Sequence, residues 1–531
     1  MRPEPQEQIK RCGQRNQPHV RRHRLKTGGQ RFNCAHGRFG LGLEWQSHAK
    51  RFYHETSVPI ERGQGSGAGY LSICCRSGTI APTNPAVFHT LRSRDGRCAT
   101  LTRLPLEQYI IDGGRPLNGA VRPSGNKNSA LPLLAACLLT AEPVILRNVP
   151  DIRDVQAMRR LLLDLGVTIE ELEPQTLRIN AAALRKTALD PALCRAIRAS
   201  ILLAGPLLAR LGHVELPPPG GDVIGRRRLD THLLALEALG ATIIVNSRLD
   251  MRTDGLRGAN LLLDETSVTA TENAIMGAVL ARGHSVIRNA ASEPHVQELC
   301  HFLNRLGGRI TGIGSNVLTI EGVASLHGGE FTIGPDYLEV VSFIGAAAVT
   351  GGQVRIEDAG AEYLDMISLV FRRLGVEWQT EGRDLIVPAR QPLSIVPDLG
   401  GAIPEIKVNV WPAFPTDLMS IAIVVATQSK GTVLFHDWMY PSRMFFIDKL
   451  VGMGARIILA DPHRCLVQGP GRLQAEALES PDIRAGMSLL LAALCAEGKS
   501  TIRNIGQIER GYERIDEKLR ALGAGIERST A

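Results

Sequence analysis

Aromatic residues are scarce: Phe, Trp and Tyr together supply 4% of 531 residues, while Gly alone appears 54 times. With Ala and Leu also abundant, that mix suits helices packed on sheets better than an all-β sandwich. No apolar run reaches the roughly 18 residues needed to cross a bilayer. The N-terminus is positively charged but has no apolar h-region, so a secretory signal is not expected. From residue 108 onward no two cysteines have zinc-ligand spacing, and neither a metal-ligand cluster nor a dinucleotide fingerprint occurs. No metal and no organic cofactor is therefore expected. The five cysteines of that part (Cys137, Cys194, Cys300, Cys465, Cys495) are scattered, several of them in apolar runs such as ALPLLAACLL. They read as buried free thiols of a protein in the reducing cytoplasm.

A coherent charge is missing too. The formal net charge is +8, but residues 1–105 hold 18 of the 61 Lys+Arg and 6 of the 53 Asp+Glu. The rest carries 43 basic and 47 acidic residues, so bulk charge there excludes a polyanion binder. Residues 1–107 show no sustained periodicity and contain breakers such as GQGSGAGY and APTNP. Five cysteines (Cys12, Cys34, Cys74, Cys75, Cys98) and the cluster RRHRLK lie in this stretch. It is expected to be a disordered extension or the product of a start placed too far upstream. A nucleic-acid arm or targeting peptide is the competing reading.

What is present, from Gln108 onward, is repetition. A bulky apolar residue, Gly and a short strand-like run recur six times: LGVTI at Leu165, LGATI at Leu239, LGGRI at Leu306, LGVEW at Leu374, MGARI at Met453 and LGAGI at Leu522. Successive starts differ by 74, 67, 68, 79 and 69 residues. Each follows a helix-period segment, so the Gly fits a residue that ends a helix and starts a strand. A short strand ending in a polar residue recurs as PVILRN (143–148), GHSVIRN (283–289), GGQVRIED (351–358), GTVLFHD (431–437) and GKSTIRN (498–504). The third element is an Ala/Leu-rich helix entered through polar residues. Its copies are NKNSALPLLAACLL, IRASILLAGPLLA, TATENAIMGAVLA, YLEVVSFIGAAAV, PTDLMSIAIVVA and DIRAGMSLLLAAL. Helices apolar on nearly every side are buried. Six units of about 70 residues predict an α/β protein of two domains with three units each.

Polar residues gather at two equivalent places of the unit: the entry to the buried helix, and the loop between the strand and the second helix. Helix entries offer unpaired N–H groups and a positive dipole end, which suit anions. Several also carry cations: Lys127, Arg198 and Arg484 at the entries, then Arg226, Arg227, Arg228, Arg443 and Arg510 in the loops. One ligand with several acidic groups, or two anionic ligands, explains so many. The segment PPPGGDVIGRRRLDTH (217–232) joins prolines, adjacent glycines, acids and three arginines, and reads as a mobile lid over an anionic site. An inert surface loop is the alternative.

SGNKNSALP, IRAS, PGGDVIGRRRLD, PAFPTD, SPDIRA and ERGYERIDEKLRALGA resemble, in order, the motifs of the UDP-N-acetylglucosamine enolpyruvyl transferases. The resemblance spans about 108–531. It implies an inside-out α/β barrel of two three-unit domains with the active site between them: 126–334 with its lid loop 217–232, and 108–125 paired with 335–531. It implies transfer of the enolpyruvyl group of phosphoenolpyruvate to the 3-hydroxyl of UDP-N-acetylglucosamine, with release of phosphate, at the start of peptidoglycan precursor synthesis. Both partners are small molecules, and no nucleic acid, membrane or obligatory protein partner is implied. By the same resemblance Lys127 and Asn128 contact phosphoenolpyruvate and its reaction partner, Arg227, Arg443 and Arg510 hold its phosphate and carboxylate, and Arg198, Asp482 and Arg484 line the cleft. Arg227, Arg228, Leu229, Asp230 and Thr231 look like nucleotide contacts, as do Ser267 and Val268, with Met439 near them. Asp417 matches the acid that binds the sugar 3-hydroxyl and helps remove its proton.

Asp222 stands where most of the family has Cys, at the position that protonates the methylene carbon of phosphoenolpyruvate. An exposed Asp, titrating near about 3.9, has no proton to give at neutral pH. Lid closure and exclusion of water are needed to change that. Glu265 and Tyr337 replace a Lys and an Arg of the better-known form, and VNVWPAFPTD differs upstream of PAFPTD. An enolpyruvyl transferase acting on shikimate 3-phosphate or another nucleotide stays open, as does an inactive paralogue. RRRLD and ERGYERI favour the UDP-sugar acceptor. Deleting residues 1–105 is expected to leave phosphate release unchanged; a folded but inactive truncate would give that stretch a function.

Overall fold

The helices that are apolar all round form the interior. The computed structural model describes residues 107–530 apart from Val223 and Arg226, so the expectations for the basic extension and its cysteines lie outside the described residues. The inner helices are Lys127–Ala136, Ala204–Leu211, Val268–Ala278, Tyr337–Thr350, Met419–Gln428 and Ile483–Cys495. All residues from Ile483 to Leu494 are buried, Arg484 among them. IRASILLAGPLLA does not form one helix: it divides into a 3-10 turn, Arg198–Leu203, and the helix from Ala204. Pro206 has no N–H to give the Leu202 carbonyl and its ring crowds that carbonyl, which disfavours a regular α-helix through that turn.

The first three inner helices share a core with residues between Ala130 and Ile333. The other three share a second core, built from Tyr109–Val121 and from residues between Tyr337 and Ile526. Both cores lie within one compact unit.

Around the helices stand five four-stranded sheets and one three-stranded sheet. In each of the five, one pair is parallel and the other pairs are antiparallel. Val144–Arg147, for example, runs parallel to Gly329–Thr332 and antiparallel to Thr176–Asn180. It alternates, burying Val144 and Leu146. In the three-stranded sheet of His213–Leu216, Leu249–Arg252 and Thr242–Val245 the parallel partner shrinks to a single bridge, Ala188 to Glu215. Strand Glu107–Asp112 lies between Lys499–Arg503 and Gly525–Thr530, antiparallel to both, so the start and end of the described chain close one sheet.

The recurrent glycines Gly166, Gly240, Gly307, Gly375, Gly454 and Gly523 all have φ between 80° and 98°, the left-handed backbone that stops a helix. The polar residue ending the short strand has its own reason. Asn148, Asn289 and Asn504 have φ of 56°, 58° and 58°, a region Asn tolerates better than most residues. Their side-chain amides donate to Ile333 O, Leu263 O and Ser480 O, on neighbouring strands or just past their ends. The chain is thereby turned at the same end of each sheet.

Among the described residues no helix is long and apolar enough to cross a membrane. Cys137, Cys194, Cys300 and Cys465 are buried, Cys495 is partly buried, and all five are free thiols. Packing between inner helices is close at Gly205, where a Cβ would sit 2.7 Å from the Asn273 carbonyl oxygen. Gly205→Ala is therefore expected to cost about 1–3 kcal/mol of stability by overpacking, read from urea unfolding, against the roughly 1 kcal/mol that Ala gains over Gly in an open helix. A stabilised variant would mean the two helices separate freely.

Candidate active site

Every inner helix begins at the same cavity. Lys127 and Asn128, Val268, Tyr337 and Arg484 sit in the first turns of four of them; Arg198 and Asp417 lie in the 3-10 turns leading into the other two. The helix starts are capped from within: Asn126 accepts from Asn128 N–H at 2.8 Å, Asp336 from Leu338 N–H at 2.9 Å, and Asp482 from Arg484 N–H at 2.8 Å. Entries to the second helices add Asp154, Arg227, His295, Arg443 and Arg510. The enclosed volume is about 250 Å³, small for a ligand cavity.

Seven of its charged residues form two ion-pair networks. Lys127 Nζ lies 2.7 Å from Asp154 Oδ2, and Arg510 Nε lies 2.8 Å from Asp154 Oδ1. Arg510 also contacts Asp222. On the other side Asp417 is held by Arg443 at 2.7 Å and by Arg484 at 3.2 Å. Burial alone pushes both aspartates up, but the neighbouring cations outweigh it. Arg484, Arg443 and Lys127 hold Asp417 well below the usual carboxylate range, and Lys127 with Arg510 lower Asp154. Arg443 is 4% exposed, and its Nε has no hydrogen-bond partner. Arg198 has no carboxylate. It donates to the carbonyls of Arg227 at 2.7 Å and Arg228 at 3.1 Å, and burial, with the Arg227 charge, lowers it to about 10.

The described residues of the loop 217–229 lie along the cavity, with Asp222, Ile224 and Arg227 in its wall. Its glycines permit close approaches. Gly221, at φ 105°, would bring a Cβ to 2.8 Å from Arg198, and Gly225, at φ 120°, to 2.8 Å from Pro441. The helix begins at Asp230, so the last three residues of the predicted lid belong to it.

Of the residues singled out from sequence, Lys127, Asn128, Arg198, Asp222, Arg227 and Val268 meet in this wall, with Asp417, Met439, Arg443, Arg484 and Arg510. Others stand apart from it. Arg228 pairs with Asp230 and with Asp264, and Thr231 donates to Asp264 at 2.7 Å. Leu229 packs on the first core. Ser267 and Asp482 cap inner helices. Tyr337 lines the cavity, while Glu265 is exposed. Sequence reasoning missed Asp154, Glu272, Glu293, His295 and Tyr440, all in the wall. For Asp154 a signal existed: it occupies the strand-exit position that Arg443 and Arg510 occupy in their units. Among the described residues no cluster of His, Cys, Asp or Glu is arranged to hold a metal.

Residues 111–519 match the family model of EPSP synthase (3-phosphoshikimate 1-carboxyvinyltransferase). A UDP-N-acetylglucosamine 1-carboxyvinyltransferase of Bradyrhizobium diazoefficiens is 58% identical over 79% of this chain and 98% of its own length. The enzyme of that name from Treponema denticola is 53% identical over 80% and 99%. Among solved structures, the enolpyruvyl transferase NikO of Streptomyces tendae superposes with a TM-score of 0.72 at 25% identity, covering 81% of this chain and all of that one. With a family model matching most of its length and relatives more than half identical, the chain belongs to the enolpyruvyl transferases, in the UDP-N-acetylglucosamine 1-carboxyvinyltransferase branch.

Proposed function

We propose that this enzyme transfers the enolpyruvyl group of phosphoenolpyruvate to the 3-hydroxyl of UDP-N-acetylglucosamine and releases inorganic phosphate. The observation that carries the reading is the meeting of Lys127, Arg227, Arg443 and Arg510 at one small cavity with Asp222 and Asp417. Phosphoenolpyruvate carries a phosphate and a carboxylate within a few atoms of each other, and cations on several sides match that charge. The two cores act as two domains, 126–334 and 108–125 with 335–531, each an arrangement of three units around buried helices, as in an inside-out α/β barrel.

The chemistry is addition followed by elimination. The sugar oxygen bonds to C2 of phosphoenolpyruvate as Asp417 takes the hydroxyl proton, and Asp222 gives a proton to the methylene carbon. That carbon then returns a proton, the C2–O bond to phosphate breaks, and the enol ether and phosphate leave. The hydroxyl proton ends on phosphate or solvent. While Arg484 and Arg443 are paired with it, Asp417 is held too acidic to be a good base. An incoming phosphate and carboxylate compete for Arg443 and Arg484, and that competition restores its proton affinity. Asp222 must likewise part from Arg510 before it can carry a proton. Arg510 is then left to the substrate.

Incubation with both substrates is expected to release phosphate and form the enol ether in equal amounts; release with shikimate 3-phosphate instead would move the acceptor. Asp417→Asn is expected to lower kcat about 10²–10⁴-fold in steady-state assays, and an unchanged kcat would remove it from proton transfer. The lid acid predicts resistance to the epoxide fosfomycin. Burial pushes the Cys194 thiol up to about 11 and those of Cys300, Cys465 and Cys495 up to about 12, so they offer little thiolate. Asp222→Cys is expected to gain time-dependent inactivation with one adduct on the peptide bearing residue 222, seen by mass spectrometry. Inactivation of the unaltered enzyme at that peptide would contradict the assignment.

A further inference from the structure

The cavity has a second wall on which, among the described residues, the carboxyl groups have no cations. Glu272 projects from the inner helix Val268–Ala278 and is 1% exposed. Glu293 precedes the helix Pro294–Arg305, whose second residue, His295, is 4% exposed. All three residues line the cavity, and each has a buried polar atom without a hydrogen-bond partner: Glu272 Oε1, Glu293 Oε2 and His295 Nδ1. An unsatisfied buried polar atom is expensive, and three around one cavity call for a ligand. Burial, with the charge of Glu293, pushes Glu272 well up; burial lowers His295 to about 4 despite nearby Asp417, so its ring is neutral.

The two walls sort ligand chemistry. Phosphate and carboxylate belong with Lys127, Arg443 and Arg510. Glu272 and Glu293 offer an anion no counter-charge, whereas a sugar hydroxyl or amide can hydrogen-bond to a carboxyl group in either protonation state. We propose that Glu272, Glu293 and His295 form the subsite that grips the neutral hydroxyl and amide groups of the acceptor sugar, and that they set the preference for a nucleotide sugar over an acceptor whose ring bears a phosphate. This rests on the acceptor assigned above.

The test separates the two claims by titrating UDP and UDP-N-acetylglucosamine calorimetrically into the full-length enzyme and into the Glu272→Leu and Glu293→Gln variants. The unaltered enzyme is expected to bind the sugar nucleotide more tightly than UDP. In Glu272→Leu that advantage falls about tenfold or more, the worth of a hydrogen bond to a carboxyl group, while UDP affinity stays within about twofold. Glu293→Gln, which keeps the shape, loses part of the same advantage. Because Leu also removes a buried unpartnered carboxyl, the melting temperature is expected to hold or rise, which a purely structural Glu272 would not allow. An undiminished sugar advantage in both variants overturns the subsite alone. An unaltered enzyme that binds neither nucleotide overturns the acceptor assignment, and the subsite with it.

Discussion

The site depends on carboxylates that occupy its cations. Asp154 lies between Lys127 and Arg510, and Asp417 between Arg443 and Arg484. Removing a cation from water costs several kcal/mol, and an unpaired one does not stay buried. With internal acids as partners, Arg443 and Arg484 sit 4% and 5% exposed, in place before any substrate arrives. On the proposed reading, a ligand bearing phosphate and carboxylate exchanges one anion for another, so the cations meet it already desolvated and aimed. One of these pairs, Arg510 with Asp154, joins the two halves of the chain, since Arg510 lies in the 3-10 turn Ile505–Arg510 and Asp154 in the helix Arg153–Asp164.

Such a meeting needs chain segments far apart in sequence to reach one place, and the fold supplies it by repetition. Each inner helix must be covered on all sides, so its two ends are where polar groups can sit. Left-handed Asn148, Asn289 and Asn504 turn the chain at corresponding strand ends, and the capped helix starts face the same way. Cavity residues accordingly come from the first turn of, or the 3-10 turn into, all six inner helices. Aligned helix dipoles add positive potential there that no single side chain supplies.

The sequence was legible where local physics had one solution. Apolar runs without a polar face named the inner helices, and glycines after helix-period segments named the helix stops. Cations at apolar helix entries, such as Lys127 and Arg484, stood out because nothing local needs them. The structure-only residues were hidden for physical reasons. Asp154 reads as the ordinary acid in the first turn of an amphipathic helix, and its partner Arg510 is 356 residues away. Glu272 and His295 sit in segments that read as ordinary helix, where an acid or imidazole suggests a solvated face. Arg228 and Thr231 show the reverse: their motif drew attention, while in the structure they engage Asp264.

Asp222 shows how far the network reaches. A cysteine at a lid position needs only a nearby cation to become a reactive thiolate, whereas Asp222 is drawn into the cation network by its contact with Arg510. On the proposed reading, an aspartate at this position therefore does more than serve as the proton donor. It ties the loop to Arg510, so that opening the ion pair, admitting the substrate anion and protonating Asp222 become linked events. On the proposed reading the proton reaches the lid when a substrate anion displaces Asp222 from Arg510 and water is excluded around it, conditions that coincide with a filled cavity.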